Sequence, residues 1–396
     1  MTATDWAAEA TRYRDALLDD TLPFWLPRAI DRQHGGFLIM RDRDGTLVDT
    51  DKGLWQQARF TWLLGRLHNT VEARGEWLEA CAHGIAFLDA YGFDPDDGRM
   101  WFHVTRDGKP IRKRRYAFTE AFAAIAYGEH ARATGSDAAA VRAASLLQRF
   151  LAHEPPPKFT ATRPLHGIGV PMIAIATAQE LRRSIGLDNA TAIIDRHAET
   201  IATHFYKPDL GAVMELVGPD GEISDHFDGR TLNPGHAIEA AWFLLREAAE
   251  RNRSDYRDLG VAMFDCMWQR GWDAEHGGLL YFTDLHRGPV QEYWHDMKFW
   301  WPHNEAVLAC LHALRATGEP RFAERHAELT TWCDRHFRDR EHGEWFGYLH
   351  RDGSRASSLK GNLWKGPFHL PRMQLLAWRL CEELAAHGPD RVPEPD

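Results

Sequence analysis

His276–Ala313 reads HGGLLYFTDLHRGPVQEYWHDMKFWWPHNEAVLACLHA, and His34–Asn69 reads HGGFLIMRDRDGTLVDTDKGLWQQARFTWLLGRLHN. Both open His-Gly-Gly, continue as a short apolar run, turn, and enter an amphipathic helix through a lysine-containing aromatic patch. A third copy, HGEWFGYLHRDGSRASSLKGNLWKGPFHLPRMQLLAWRL, starts at His342. Looser copies start at Gly98 and Gly211, and a degenerate sixth, KFTATRPLHGIGVPMIAIATAQELRR, starts at Lys158. The spacing is roughly 55–65 residues, longer than in common short solenoids.

Each copy contains the same parts. Asp-Gly pairs (Asp44-Gly45, Asp107-Gly108, Asp220-Gly221, Asp352-Gly353) lie between apolar runs and read as hairpin tips. A helix with apolar residues at i, i+3, i+4 follows, then a short Gly-containing link and a second helix. The hairpins read as appendages on repeated helix pairs. Six pairs with polar groups at the same end of each first helix predict a ring. The fold class is therefore all-α, an (α/α)6 barrel of helical hairpins with short β-hairpins at the active-site mouth. No Ser/Pro-rich linker divides the chain, so residues 1–396 are expected to form one catalytic domain.

Composition narrows the function. A net charge of −10 argues against nucleic acid or an anionic membrane, both of which select basic surfaces. No apolar run reaches a membrane span, and the acidic N-terminus has no signal-peptide core. The five cysteines (Cys81, Cys266, Cys310, Cys333, Cys381) are scattered and form no CxxC pair, which fits reduced thiols and a cytoplasmic location. The 16 Trp and 22 His point to carbohydrate, whose ring faces stack on aromatic planes, although large helical proteins also use Trp at helix crossings.

Aligning the hairpin-to-helix handovers collects the candidates. They are Arg59 in the first unit, Tyr116 and Glu120 in the second, and His236, Glu239 and Trp242 in the fourth. The fifth unit adds Trp301, His303 and Glu305, and the sixth Trp364, His369 and Arg372. Ring closure would bring them to one cavity. His236 and Glu239, at i and i+3, share a helix face, where a carboxylate fixes a histidine's tautomer and raises its basicity. Two histidines from different helices suit removal of a proton from one face of an atom and its return to the other, and Arg59 would hold the oxygen that gains charge. His303 is as well explained by packing as by substrate contact. His34, His276 and His342, at hairpin starts, read as structural. His295 and Asp296 near His303 show no tight metal-ligand spacing, and neither a phosphate-binding nor a dinucleotide-binding glycine loop is present.

The stretches MKFWWPHNEA, NPGHAIEAAWFLL, GEWFGYLHRDG and KGNLWKGPFHLPRM resemble the N-acylglucosamine 2-epimerase family over nearly the whole chain. The resemblance implies an (α/α)6 barrel with His236 and His369 as the acid/base pair. It also implies Arg59, Tyr116, Glu239, Trp242, Trp301, His303, Glu305 and Trp364 around the substrate, and no metal. The implied reaction opens the sugar, removes the C2 proton and returns it to the other face, interconverting N-acetylglucosamine and N-acetylmannosamine with no cofactor. ATP as an effector and a homodimer are further expectations from the resemblance alone. WPHNEA and GVPM (Gly169–Met172) are more like the N-acetylglucosamine enzymes, whereas cellobiose 2-epimerases carry WWPQAE. The third unit has no histidine in its inner-helix slot, with His166 lying earlier, which weakens a disaccharide substrate. The alternatives are epimerisation or isomerisation of mannose or cellobiose-type sugars. More distant are a glycoside hydrolase or lyase, or a sugar-binding protein without catalysis.

Overall fold

The computed structural model describes residues 4–154 and 162–388. Residues 158–161, where the degenerate third unit begins, lie outside the described residues. Six helices form an inner ring: Leu54–Thr70, Phe118–Thr134, Gly169–Ile185, Pro234–Arg251, Trp300–Thr317 and His369–His387. Five outer helices follow the first five: Gly75–Tyr91, Asp137–Ala152, Ala190–Thr200, Ser254–Gly271 and Pro320–His336. The sixth outer position is filled from the other end of the chain. Trp6–Asp15 packs against His369–His387 and continues through a π-turn into Leu22–Ala29. The predicted (α/α)6 barrel is therefore present, with its first and last segments sharing one pair.

Stop signals are read directly from sequence. Gly135, Gly186 and Gly318 adopt positive φ just after inner helices, where a residue without Cβ ends a helix at no steric cost. Pro234, Pro302 and Pro371 sit in first turns, where their missing N–H has no helical partner to lose.

The hairpins are more than appendages. The strand before an inner helix pairs with the hairpin of the next unit: Lys52–Gly53 with His103–Val104, and His166–Gly167 with Leu216–Val217. The same rule joins Thr231–Leu232 to Thr283–Asp284 and Lys298–Phe299 to Tyr348–Leu349. Gly361 in the last unit bridges to Arg41 in the first, closing the ring. Under each of three joints lies a buried lysine. Lys52 bonds Asp31 (3.0 Å), Lys298 bonds Asp273 (3.0 Å) and Lys360 lies 3.1 Å from Asp339. An arginine from the next hairpin completes each set: Arg106, Arg351 and Arg43 in turn, at 2.7–2.9 Å. Burial works against these carboxylates, but the arginine and lysine bonds hold all three well below the usual range. The lysine of the repeated aromatic patch is thus a fastener between units.

Candidate active site

All six inner helices line one cavity of about 720 Å³. It opens at the hairpin end and runs down the barrel axis. Arg59, Tyr116, His236, Glu239, Trp242, Trp301, Trp364 and His369 all line it, as their slots predict. Trp364 stands at the rim, 44% exposed, edge-on to Trp55.

His236 is placed by its helix start. Asn233 caps the helix by accepting from the His236 backbone N–H (3.2 Å), and Pro234 occupies the first turn. Gly235 is required here, because a Cβ would lie 2.6 Å from the Trp301 indole. Trp301 therefore packs close to His236, with ring centroids 5.0 Å apart, and lies 5.8 Å from the His369 ring. The two imidazoles share one indole as a neighbour.

Each imidazole has its own carboxylate. His236 Nδ1 donates to Glu215, 3.0 Å from both oxygens. His369 Nδ1 donates to Glu305 Oε1 at 2.7 Å. Because carboxylates only accept, Nδ1 carries the proton in both rings and Nε2 is the atom left for chemistry. The partner of His236 is thus Glu215, and not Glu239 as the i, i+3 spacing suggested. Glu239 instead accepts from Arg372 on the last inner helix (2.7 Å). The same guanidinium lies 2.6 Å from Glu305, and Trp242 Nε1 donates to the second Glu305 oxygen at 2.9 Å. Glu305 is fully buried behind His369 and does not reach the cavity wall.

The surroundings drive the two histidines apart. Burial lowers the affinity of His236 for a proton, but Glu215, by charge and hydrogen bond, with help from Glu239 and Glu305, outweighs it, and its pKa rises. Burial, reinforced by Arg372 and Arg59, drives His369 well below the ordinary histidine value. Arg59 lines the same cavity, enclosed by the faces of Trp55, Phe122 and Phe368 with its Cζ 3.9–4.7 Å from the ring centroids. Burial and the neighbouring Arg372 bring its pKa down to about 9, still a cation at neutral pH. Its Nε finds no hydrogen-bond partner among the described residues. A cation without a bonded counter-ion in an aromatic wall is a ready partner for a developing oxyanion.

Two expectations fail. His303 is not a substrate contact. It is fully buried on the far side of its helix, stacked on Trp332 at 5.0 Å. Its Nε2 accepts from Leu279 N (2.9 Å), its Nδ1 donates to Phe299 O (2.7 Å), and burial pushes its pKa down to about 3. Glu305 is a positioning residue for His369 and likewise makes no substrate contact. Glu120 is also internal, bonding Arg99 at 2.6 Å. His295 and Asp296 are not gathered with His303. Asp296 faces a separate surface cleft beside His276 and His350. The donor atoms of Glu239, Glu305 and His369 cluster within 4.8 Å, but the positive charge among them is the Arg372 guanidinium. Sequence reasoning missed Glu215, although an acid within the apolar run GAVMELVG was a usable signal. It also missed Tyr281, Trp294 and Asn362, which complete the mouth.

A family model for N-acylglucosamine 2-epimerase (GlcNAc 2-epimerase) matches residues 35–369, spanning every unit of the ring. The chain belongs to the N-acylglucosamine 2-epimerase family. It is 36% identical to the N-acylglucosamine 2-epimerase of Bos taurus over 384 residues, covering 93% of this chain and 89% of that protein. A cellobiose 2-epimerase of Bacteroides fragilis is 24% identical over 386 residues, covering 89% and 94%. Among solved structures, a D-mannose isomerase superposes with a TM-score of 0.82 at 19% identity, covering 93% of this chain and 97% of its own; this likeness concerns the fold. Members of the epimerase family are carbohydrate epimerases and isomerases, and among the described residues no helix is long and apolar enough to cross a membrane.

Proposed function

We propose that this enzyme is a sugar 2-epimerase that interconverts N-acetyl-D-glucosamine and N-acetyl-D-mannosamine by moving the C2 proton of the ring-opened sugar. One observation carries the proposal. Two imidazoles flank a shared indole, each with Nδ1 tied to a different carboxylate, and their proton affinities are shifted in opposite directions. A pair in which one imidazole favours its proton and the other favours the neutral form is suited to take a proton at one face and supply one at the other. His369 Nε2 removes the C2 proton, the charge passes to the C1 oxygen beside Arg59, and His236 Nε2–H returns a proton to C2. After one turnover the proton inventory is reversed, and exchange with solvent resets it. Similarity to the Bos taurus enzyme supports the N-acetylated substrate over mannose or cellobiose.

Glycoside hydrolysis is disfavoured by the same geometry. It calls for two carboxyl groups flanking a bond, whereas Glu239 on the cavity wall and Glu305 behind it are both tied to one guanidinium, that of Arg372. A cytoplasmic setting is supported by the five free cysteines, four of them buried. An ATP effector and a homodimer are carried by the family resemblance alone.

The test is incubation of the protein in D2O with N-acetylglucosamine, N-acetylmannosamine, mannose and cellobiose. Deuterium at C2 of both acetylated sugars is expected. Exchange confined to mannose or cellobiose would overturn the substrate assignment.

A further inference from the structure

The cavity is deeper than its chemistry requires. His236 and His369 stand on the first turns of their helices, but the lining continues to Arg246 and Leu376. At about 1.5 Å of rise per residue, these lie roughly 15 Å and 10 Å further down the axis. The volume of about 720 Å³ falls in the range that encloses drug-sized ligands, well beyond one hexosamine. Ile173, Ala176 and Leu376 remain partly accessible although they sit mid-helix inside a closed ring, so their exposure is to this chamber. Its walls between the histidines and the floor are mostly apolar (Trp62, Ile125, Met172, Ile173, Ala176 and Leu376), with Thr177 and Arg372 the polar side chains among them, and at the floor Glu180 bonds Arg246 at 2.8 Å.

The two ends of the cavity suit different chemistry. The hydroxyls of C3 to C6 need partners, and burying them among Ile173, Ala176 and Leu376 would leave them unpaired. The mouth, with Tyr116, Asn362 and stacking indoles, meets that need. The one part of an N-acylhexosamine that gains from an apolar chamber is the carbon chain of its acyl group.

We infer that the lower chamber is an acyl subsite, and that the enzyme epimerises hexosamines bearing N-acyl chains longer than acetyl, of about four to six carbons. This rests on the reading of the site as an N-acylhexosamine 2-epimerase and adds the substrate range. Each methylene buried is worth roughly fourfold in affinity, so butanoyl in place of acetyl should lower KM on the order of tenfold. Ala176→Phe fills the chamber below the histidines without touching them.

The experiment compares kcat/KM for the N-acetyl, N-butanoyl and N-hexanoyl glucosamines, followed by C2 deuterium exchange. Butanoyl is expected to exceed acetyl on the order of tenfold through KM, and Ala176→Phe to lower the hexanoyl-to-acetyl ratio at least tenfold. A steep fall from acetyl to butanoyl in the unaltered enzyme, or an Ala176→Phe variant that leaves the ratio unmoved, overturns the inference while the epimerase reading stands. If no N-acyl sugar exchanges at C2, the epimerase reading itself fails and this inference falls with it.

Discussion

Glu215→Gln separates the charge of the His236 partner from its shape. Gln keeps the length of the side chain and an oxygen that accepts from Nδ1, so the imidazole stays oriented. What is lost is the negative charge that holds His236 above its ordinary pKa against the opposing effect of burial. A hydrogen bond to a charged group is worth about 1.5–3 kcal/mol and a neutral one about 0.5–1.5. The difference, with allowance for the His236 side chain being about a third exposed, is about 1 kcal/mol, close to one pKa unit. In the proposed cycle His236 must be protonated when it returns the proton to C2. The alkaline limb of kcat/KM against pH is therefore expected to move down by about one unit, with the rate below it nearly intact. The sign for stability agrees. A raised pKa in the fold adds stability that is fully present below the unfolded value near 6.5 and lost as pH rises through the folded one. The variant should thus be less stable than its parent at acid pH, with the gap closing as pH rises. A uniform loss of rate at every pH, with the limb unmoved, would refute the reasoning and reduce Glu215 to packing.

Other substitutions probe separate parts of the site. Arg59→Met removes the oxyanion partner and should lower kcat by about 10²–10³ while KM changes far less; an unchanged kcat would assign the charge stabilisation elsewhere. Arg372→Met leaves Glu239 and Glu305 buried without a counter-charge and should cost about 3–5 kcal/mol in urea unfolding, and a loss of under about 1 would contradict the shared-guanidinium geometry. His303→Phe keeps the stack on Trp332 but strands Leu279 N–H and Phe299 C=O. It should cost about 2 kcal/mol with little effect on kcat, whereas a fall of about 100-fold would return His303 to the catalytic set.

The repeat made the ring legible in advance, because each unit states its own helix pair and the pairs have only one compact arrangement that shares a mouth. The slot rule put His236, His369, Arg59 and Trp301 in one cavity, and all four line it. It failed where a helix face, rather than a helix end, decides the outcome. Trp301 and His303 are two residues apart, about 200° around the helix, so only one of them can face the axis. It also failed for partners that arrive from elsewhere in the chain. Glu215 is 21 residues from His236, carried on the hairpin that pairs with His166–Gly167. Glu239 is 133 residues from the Arg372 that claims it. Local spacing describes neighbours along a helix and says nothing about which helix stands opposite.

The shared sixth pair has a consequence for synthesis. Trp6–Asp15 and the turns after it bury Tyr13, Leu17 and Trp25, and Tyr13 OH meets His326 Nε2 at 2.7 Å across a sequence separation of 313 residues. Among the described helices Trp6–Asp15 comes first in the chain, yet its partner His369–His387 comes last. Until that partner is made, its apolar face lacks the native surface that covers it, and the five preceding pairs form an open arc. The Arg41–Gly361 bridge and this helix pair both join early segments of the chain to late ones, so a chain that folds as it is made can close the wall that carries His369 only after that helix has emerged.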